Sequence, residues 1–352
     1  MKQLKHSSRF QMLRDGRCCE SSALDHALNR MSECAPLQTR HARGALDVLL
    51  RGVRTSPWPE VAWAFSQLTP DGFPVEFTFS SEPGNTVRYA LEVAGPEMPE
   101  HQRVREAFRL YQTLAGHPAS RDVEQSMLEM QTDEELFYGA WFGGAHGTDS
   151  DRYKIYAEVP KSASLDKLSK DRLGRFVPCD LTQGPLLPHC RSFPVMLGFQ
   201  PDTGVRELYF RSAGLAVEDL GRLLWSNGLA HRYQETLELM RATCGRPGVT
   251  AAIQGFSLAR DCAQSVKAIS LFTDAYVVFG NDAHARRTLL QVARSQNWAL
   301  DLYEQATRPL QDREDLVRHQ GVIAWIVSDQ SPIEVRIGLR PPEPPVPLPP
   351  LA

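Results

Sequence analysis

The sequence predicts an α+β fold in which repeated α-β-β-α units form a closed antiparallel β-barrel of about ten strands surrounded by helices. Three observations lead there. Hairpin-like and helix-like blocks alternate along most of the chain. Each hairpin joins its strands by a short turn, so neighbouring strands run antiparallel. An open sheet of that many strands would keep two costly edges, and closure removes both.

The elements follow in chain order. Residues 1–20 are polar and unpatterned, and a flexible N-terminus is expected there. Between Ser21 and Val53, apolar residues at helical spacing (Leu24, Leu28, Met31, then Ala45, Leu46, Leu49) predict helices with a break near Pro36. Phe73–Phe79 alternates apolar and polar side chains, Ser81-Glu82-Pro83-Gly84-Asn85 is turn chemistry, and Thr86–Val93 resumes the alternation. Helices are predicted at Glu100–Ala115 and Arg121–Tyr138. Gly143-Gly144-Ala145-His146-Gly147 reads as a flexible connection into a strand at Arg152–Val159, because phosphate-binding glycine loops run from strand to helix. Trp141 and Phe142 are placed at the barrel mouth. A long polar segment, Lys161–Arg191, precedes the hairpin of Phe193–Phe199 and Val205–Arg211. One amphipathic helix is predicted over Val217–Arg241, then paired strands at Thr250–Phe256 and Ser265–Phe272, and one long helix over Asp282–Thr307. Gly321–Val327 and Ile333–Leu339 complete the series. The run Pro341–Ala352 holds seven prolines in twelve residues and reads as an extended tail. The expected organisation is a single barrel domain over 21–340, flanked by 1–20 and 341–352.

Composition narrows the class. Of 352 residues, 42% are hydrophobic and 23% charged, which excludes wholesale disorder and a membrane bundle. No run of about 18 apolar residues is present to span a bilayer. A formal charge of -3 asks for no nucleic acid. Seven cysteines, an odd number without an apolar leader, point to a reduced, cytoplasmic protein. Cys18-Cys19 reads as incidental, and Cys179, His189 and Cys190 match no zinc spacing. There is no Gly-x-Ser-x-Gly elbow to support a serine hydrolase.

The chemistry sits on the strands. Arg88, Lys267 and Arg336 occupy positions where a buried strand would carry Val or Ile. Arg152, Lys154 and Tyr156 alternate and so share one face, as do Tyr209 and Arg211. Singly, each could face solvent. If helices wrap a barrel, however, the polar strand face must point inward, and cations gathered there need an anion. A diphosphate suits them. Tyrosine rings along the same channel could shield an electron-deficient carbon.

These residues carry a resemblance. Arg152-Tyr153-Lys154-Ile155-Tyr156 resembles the Arg-x-Lys-x-Tyr strand of aromatic prenyltransferases of the dimethylallyltryptophan synthase type. Pro74-Val75-Glu76-Phe77-Thr78 resembles that family's first strand, whose Glu contacts the indole nitrogen. Thr86-Val87-Arg88-Tyr89-Ala90-Leu91-Glu92 resembles the next, whose Arg holds diphosphate. The order of hairpins from about residue 45 to 340 matches the ABBA prenyltransferase barrel. Two departures stand out. Glu207 falls where the family usually has Lys, so that either Arg211 compensates or a bulge brings Arg206 inward, and Ile269 stands where a tyrosine is frequent.

The resemblance implies transfer of a prenyl group, dimethylallyl by expectation, from an allylic diphosphate to an indole or tryptophan derivative. Glu76 would be the catalytic residue, and Arg88, Lys154, Tyr156, Tyr209, Arg211, Lys267 and Arg336 would bind diphosphate and shield the cation. No Asp-Asp-x-x-Asp or Asn-Asp-x-x-Asp motif occurs, so no cofactor and no magnesium are expected, with the allylic diphosphate as co-substrate. The expected partners are the two small-molecule substrates, with no nucleic acid and no membrane, in a monomer or weak dimer. The competing readings are a non-catalytic diphosphate-binding barrel and an α/β partner-binding protein whose strand cations face water.

Overall fold

A computed structural model describes residues 19–161, 173, 176, 190–245, 249–263, 265–313 and 317–343. The helices are α1 (Cys19–Met31), α2 (Pro36–Leu49), α3 (Arg51–Arg54), α4 (Pro59–Ala62), α5 (Glu100–Ala115), α6 (Arg121–Gln131), α7 (Val217–Ser226), α8 (Tyr233–Cys244), α9 (Ala275–Phe279), α10 (Asp282–Gln296) and α11 (Asp301–Ala306). The strands are β1 (Val75–Ser80), β2 (Val87–Glu92), β3 (Ala140–His146), β4 (Asp151–Glu158), β5 (Ser192–Gln200), β6 (Val205–Ser212), β7 (Gly255–Arg260), β8 (Val266–Asp274), β9 (Gln320–Val327) and β10 (Glu334–Leu339). Each strand pairs antiparallel with its chain neighbour, and β1 pairs with β10 to close a ten-stranded barrel. The predicted fold class is the observed one.

Closure separates two faces. Val75, Phe77 and Phe79 of β1 point outward and are buried under helices, as are Ile155, Leu197, Phe210, Phe256, Ile269 and Trp325. They meet Leu28, Leu46, Phe108, Leu220, Met240 and Leu289 from the helical layer in one continuous core. Burying this much apolar surface is the main stabilising term, at roughly 25 cal/mol per Å2. The alternate residues line a lumen. On β9, Val322 is 44% exposed to it while Ile323 and Trp325 are fully buried. Among the described residues no helix is long and apolar enough to cross a membrane.

Several elements differ from expectation, each for a local reason. The Gly143–Gly147 segment is not a connection: Gly143 and Gly144 lie inside β3, where a Cβ would press on the Tyr156 ring at Gly143 and run into the Tyr89 ring at Gly144. Phe142 is buried in the outer core rather than at the mouth, while Trp141 stacks on Tyr138 with centroids 4.2 Å apart. The second helix of the first excursion stops at Gln131, because Glu158 gathers the backbone N–H groups of Phe137, Tyr138 and Gly139 at 2.8–2.9 Å. The helix expected over Val217–Arg241 breaks near Gly228, whose φ is +76°. That expected over Asp282–Thr307 breaks at Asn297, a left-handed C-cap whose N–H donates to the Ala293 carbonyl. Thr250–Ala252 forms a 3-10 turn, and β7 begins only at Gly255.

The C-terminal boundary also moves. Pro341 and Pro342 are buried, and Glu343 accepts from Arg340 at 2.8 Å and meets His319 at 3.2 Å, so packing continues to residue 343. His319 bonds Asp282 through its other nitrogen at 2.9 Å. Asp282 also accepts from His319 N and Gln320 N at 3.0 Å and thereby anchors the start of β9. Cys190 is buried and donates to the Gly214 carbonyl at 2.8 Å, while Cys179, His189 and residues 1–18 lie outside the described residues.

One buried ion pair ties β2 to α5. Arg103 and Glu92 are 2% and 1% exposed, and Glu92 also accepts from Ser66 Oγ and Gln67 N at 2.7 Å. Arg103→Met leaves that carboxylate buried without its cation. Chemical denaturation should show a loss of about 3–5 kcal/mol, and a loss below about 1 kcal/mol would mean the pair contributes little.

Candidate active site

The lumen has a hairpin end, where the strand turns lie, and a helix end, where the helical excursions depart. Val75 and Phe77 pack outward at 0% exposure, so Glu76 points in, near the helix end. Its carboxylate rests on two glycines. A Cβ at Gly321 or Gly338 would run into its oxygens, and a bulge between Ile337 and Leu339 shapes this niche. Burial first, then the negative charge of Asp274 from β8, pushes the Glu76 pKa up from 4.5 to about 8.

The middle of the lumen is aromatic. Tyr156 and Tyr209 meet edge-on with centroids 6.0 Å apart, and Phe272 lies 6.3 Å beyond Tyr209. Lys154 Nζ sits 5.1 Å from the Tyr156 ring centre and 5.4 Å from that of Tyr209, and donates to the Tyr209 hydroxyl at 3.0 Å. It also pairs with Glu207, which accepts from Ser257. Burial alone would lower the Lys154 pKa, but the Glu207 charge outweighs it and the net shift is upward. Burial would likewise raise the Glu207 pKa, and Lys154 turns that into a net lowering.

The hairpin end is cationic. Arg336 lies across from Ser80 in the β1–β10 register, and Arg88 across from Thr78 in β1–β2. Arg336 forks onto Glu334 at 2.6 and 2.8 Å, which raises its pKa despite burial. Among the described residues Arg88 bonds the exposed Glu82 at 2.7 Å, and the charge of Glu334 also acts on it. Burial and then repulsion by Arg336 hold the Arg88 pKa below its usual value. Its Nε is buried and finds no hydrogen-bond partner among the described residues. A buried donor beside like charges is chemically suited to an anionic oxygen.

The structure therefore brings Glu76, Arg88, Lys154, Tyr156, Tyr209 and Arg336 to one lumen. It does not bring Lys267 there. A register shift between Ala259 and Arg260 puts Lys267 on the bulge, 53% exposed and bonded to Asp261 at 2.9 Å. Arg211 shares the face of Tyr209 but lies exposed at the helix end, opposite Gly255 and Phe193, and cannot replace a cation beside Lys154. Arg206 points outward, where its NH1 donates to the Phe176 carbonyl at 3.2 Å, since the β5–β6 bulge lies on β5. Ile269 is in the outer core. Sequence reasoning missed Glu334, Asp274, Phe272 and the glycine niche. Glu334 was legible, because it alternates with Arg336, but the niche needs the closing strand pair.

With this geometry in view, comparison with known proteins gives one consistent fold. No protein-family model matches the chain, and no curated protein matches it. Solved structures do. The prenyltransferase PriB in its apo form superposes with a TM-score of 0.72 at 18% identity, covering 93% of this chain and 99% of that one. The 6-dimethylallyltryptophan synthase from Micromonospora olivasterospora, in complex with DMASPP and Trp, gives 0.70 at 18% identity over 91% and 96% of the two chains. The 5-dimethylallyl tryptophan synthase from Streptomyces coelicolor, in the same kind of complex, gives 0.72 at 17% identity over 95% and 98%. The fold is that of these prenyltransferase barrels.

The Glu76 pair is directly testable. An infrared titration of the carboxyl band should place Glu76 near 8, with the midpoint falling in Asp274→Asn as the like charge is removed. Because the folded pKa exceeds the unfolded one, ionising Glu76 costs stability as pH rises from 4.5 to about 8, and Glu76→Gln should flatten that slope.

Proposed function

We propose that this protein is an aromatic prenyltransferase that moves a dimethylallyl group from its diphosphate to an indole or tryptophan derivative. The observation that carries this reading is axial order within one lumen: two facing arginines with an open donor, then a collar of aromatic rings, then a single carboxyl set in a glycine niche. The shared fold supports it, since two of the superposed structures hold DMASPP and Trp together.

Each part has a role. Arg88 and Arg336 hold the diphosphate oxygens, so charge building on the leaving group as the allylic C–O bond breaks is stabilised where it forms. The ring faces of Tyr156, Tyr209 and Phe272 shield the allyl cation from water. The acceptor ring attacks that cation, forms the new C–C bond and loses its ring proton to the released diphosphate. Glu76, once ionised, accepts the acceptor N–H and raises the ring's electron density. Protein cations supply the charge that a divalent metal supplies elsewhere, and the reaction proceeds with no metal ion added.

The test is diphosphate release from dimethylallyl diphosphate in EDTA, with a panel of indoles and phenols. Release should require an aromatic acceptor. Arg336→Ala should lower kcat/KM by about 10²–10³, and Glu76→Gln by about 10²–10⁴. Because Glu76 acts ionised, kcat/KM should climb with pH up to about 8 and lose that climb in Glu76→Gln. Release that needs added magnesium, or none with any acceptor, would count against the reading.

A further inference from the structure

Each lumen-facing cation that bonds a carboxylate does so in a different way. Arg336 and Glu334 form a fork at the open hairpin end, where the Arg336 side chain is 40% exposed. Arg88 reaches Glu82 in the exposed β1–β2 turn. Lys154 instead bonds the most enclosed of the three carboxylates, in the middle of the lumen. Its side chain is 14% exposed and that of Glu207 is 8%. The wall is shaped to receive it: Gly198 stands in register between Tyr156 and Glu207, and a Cβ there would sit 2.8 Å from Lys154 Cε and 3.4 Å from Glu207 Cβ.

Glu207 is held from several sides, by Lys154, by Ser257 from β7 and by the phenol of Tyr209. A diphosphate that drew Lys154 away would leave a buried carboxylate without its cation, in the same lumen as the anion itself. That costs far more than the displacement of Glu82 at the rim. We propose that Glu207 is a specificity-determining residue: it keeps Lys154 occupied in the wall, confines diphosphate binding to Arg88 and Arg336, and so weakens the hold on the donor and on the released diphosphate. This inference rests on the prenyl-transfer reading. The Lys154–Glu207 pair then serves as a neutral, rigid support for the Tyr156 and Tyr209 rings, not as part of the anion cradle.

The experiment is calorimetric binding of inorganic pyrophosphate to the full chain in EDTA. Glu207→Gln leaves Lys154 without its counter-charge, so it should bind pyrophosphate about tenfold tighter or more, and lower the KM for dimethylallyl diphosphate in step. Replacing the pair by apolar side chains, Lys154→Met with Glu207→Leu, removes both charges and should stay within about threefold of wild type. The double variant also keeps the question open to test if Glu207→Gln does not fold. A gain of affinity is something that loss of a purely structural contact does not produce. Pyrophosphate binding that is unchanged or weaker in Glu207→Gln, or lost in the double variant, overturns the proposal and returns Lys154 to direct contact with the anion. If wild type binds and Arg336→Ala weakens it while Glu207→Gln changes nothing, only the part given to Glu207 fails. If wild type and all variants are silent, the prenyl-transfer reading fails with it.

Discussion

The pairing of β1 with β10 is the constraint on which everything else depends. It leaves the sheet no free edge and gives the strands an inside that differs from their outside. Outside, helices bury Phe77, Phe210 and Trp325. Inside, residues two apart on every strand converge on one axis, so cations from β2, β4 and β10 meet although they lie far apart in the chain. In an open sheet the same residues would be scattered over a solvated face, where each would be worth little.

Glycine makes the interior usable. Gly143, Gly198, Gly255, Gly321 and Gly338 each lack a Cβ where a neighbouring side chain now lies: Tyr156, Lys154, Phe272 and, for the last two, Glu76. Without those gaps the functional side chains would crowd the axis and leave no room for a substrate. The absent methyl group at these positions is therefore as much a part of the site as the charged groups. It also explains why β3 tolerates consecutive glycines, since aromatic rings on both faces restore the packing that glycine omits.

What was legible in the sequence follows from the same geometry. Period-two alternation read Arg152, Lys154 and Tyr156 onto one face, and the structure keeps them there. Arg88 and Arg336 were found the same way. Lys267 was read onto the wrong face: Ile269 and Leu271, two and four residues on, lie in the outer core, so alternation itself sends Lys267 outward, and the bulge beside it leaves it exposed. Alternation placed Arg211 on the right face but said nothing of depth along the axis. The Glu76 niche and the Lys154–Glu207 pair were out of reach, since both depend on which strands become neighbours across the lumen.

A lumen full of cations poses a problem before any substrate arrives. Unpaired, Arg88, Lys154 and Arg336 would repel one another in a place of reduced hydration and destabilise the empty barrel. Glu82, Glu334 and Glu207 relieve that repulsion, and each would compete with an anion that entered the lumen. The compromise is graded by depth. At the rim, Glu82 is 55% exposed and yields at little cost. Deeper in, Glu207 is 8% exposed and bonded to Lys154 and Ser257, so parting it from its cation costs more. Arg88, whose buried Nε finds no partner among the described residues and whose pKa is depressed, carries the residual imbalance of charge.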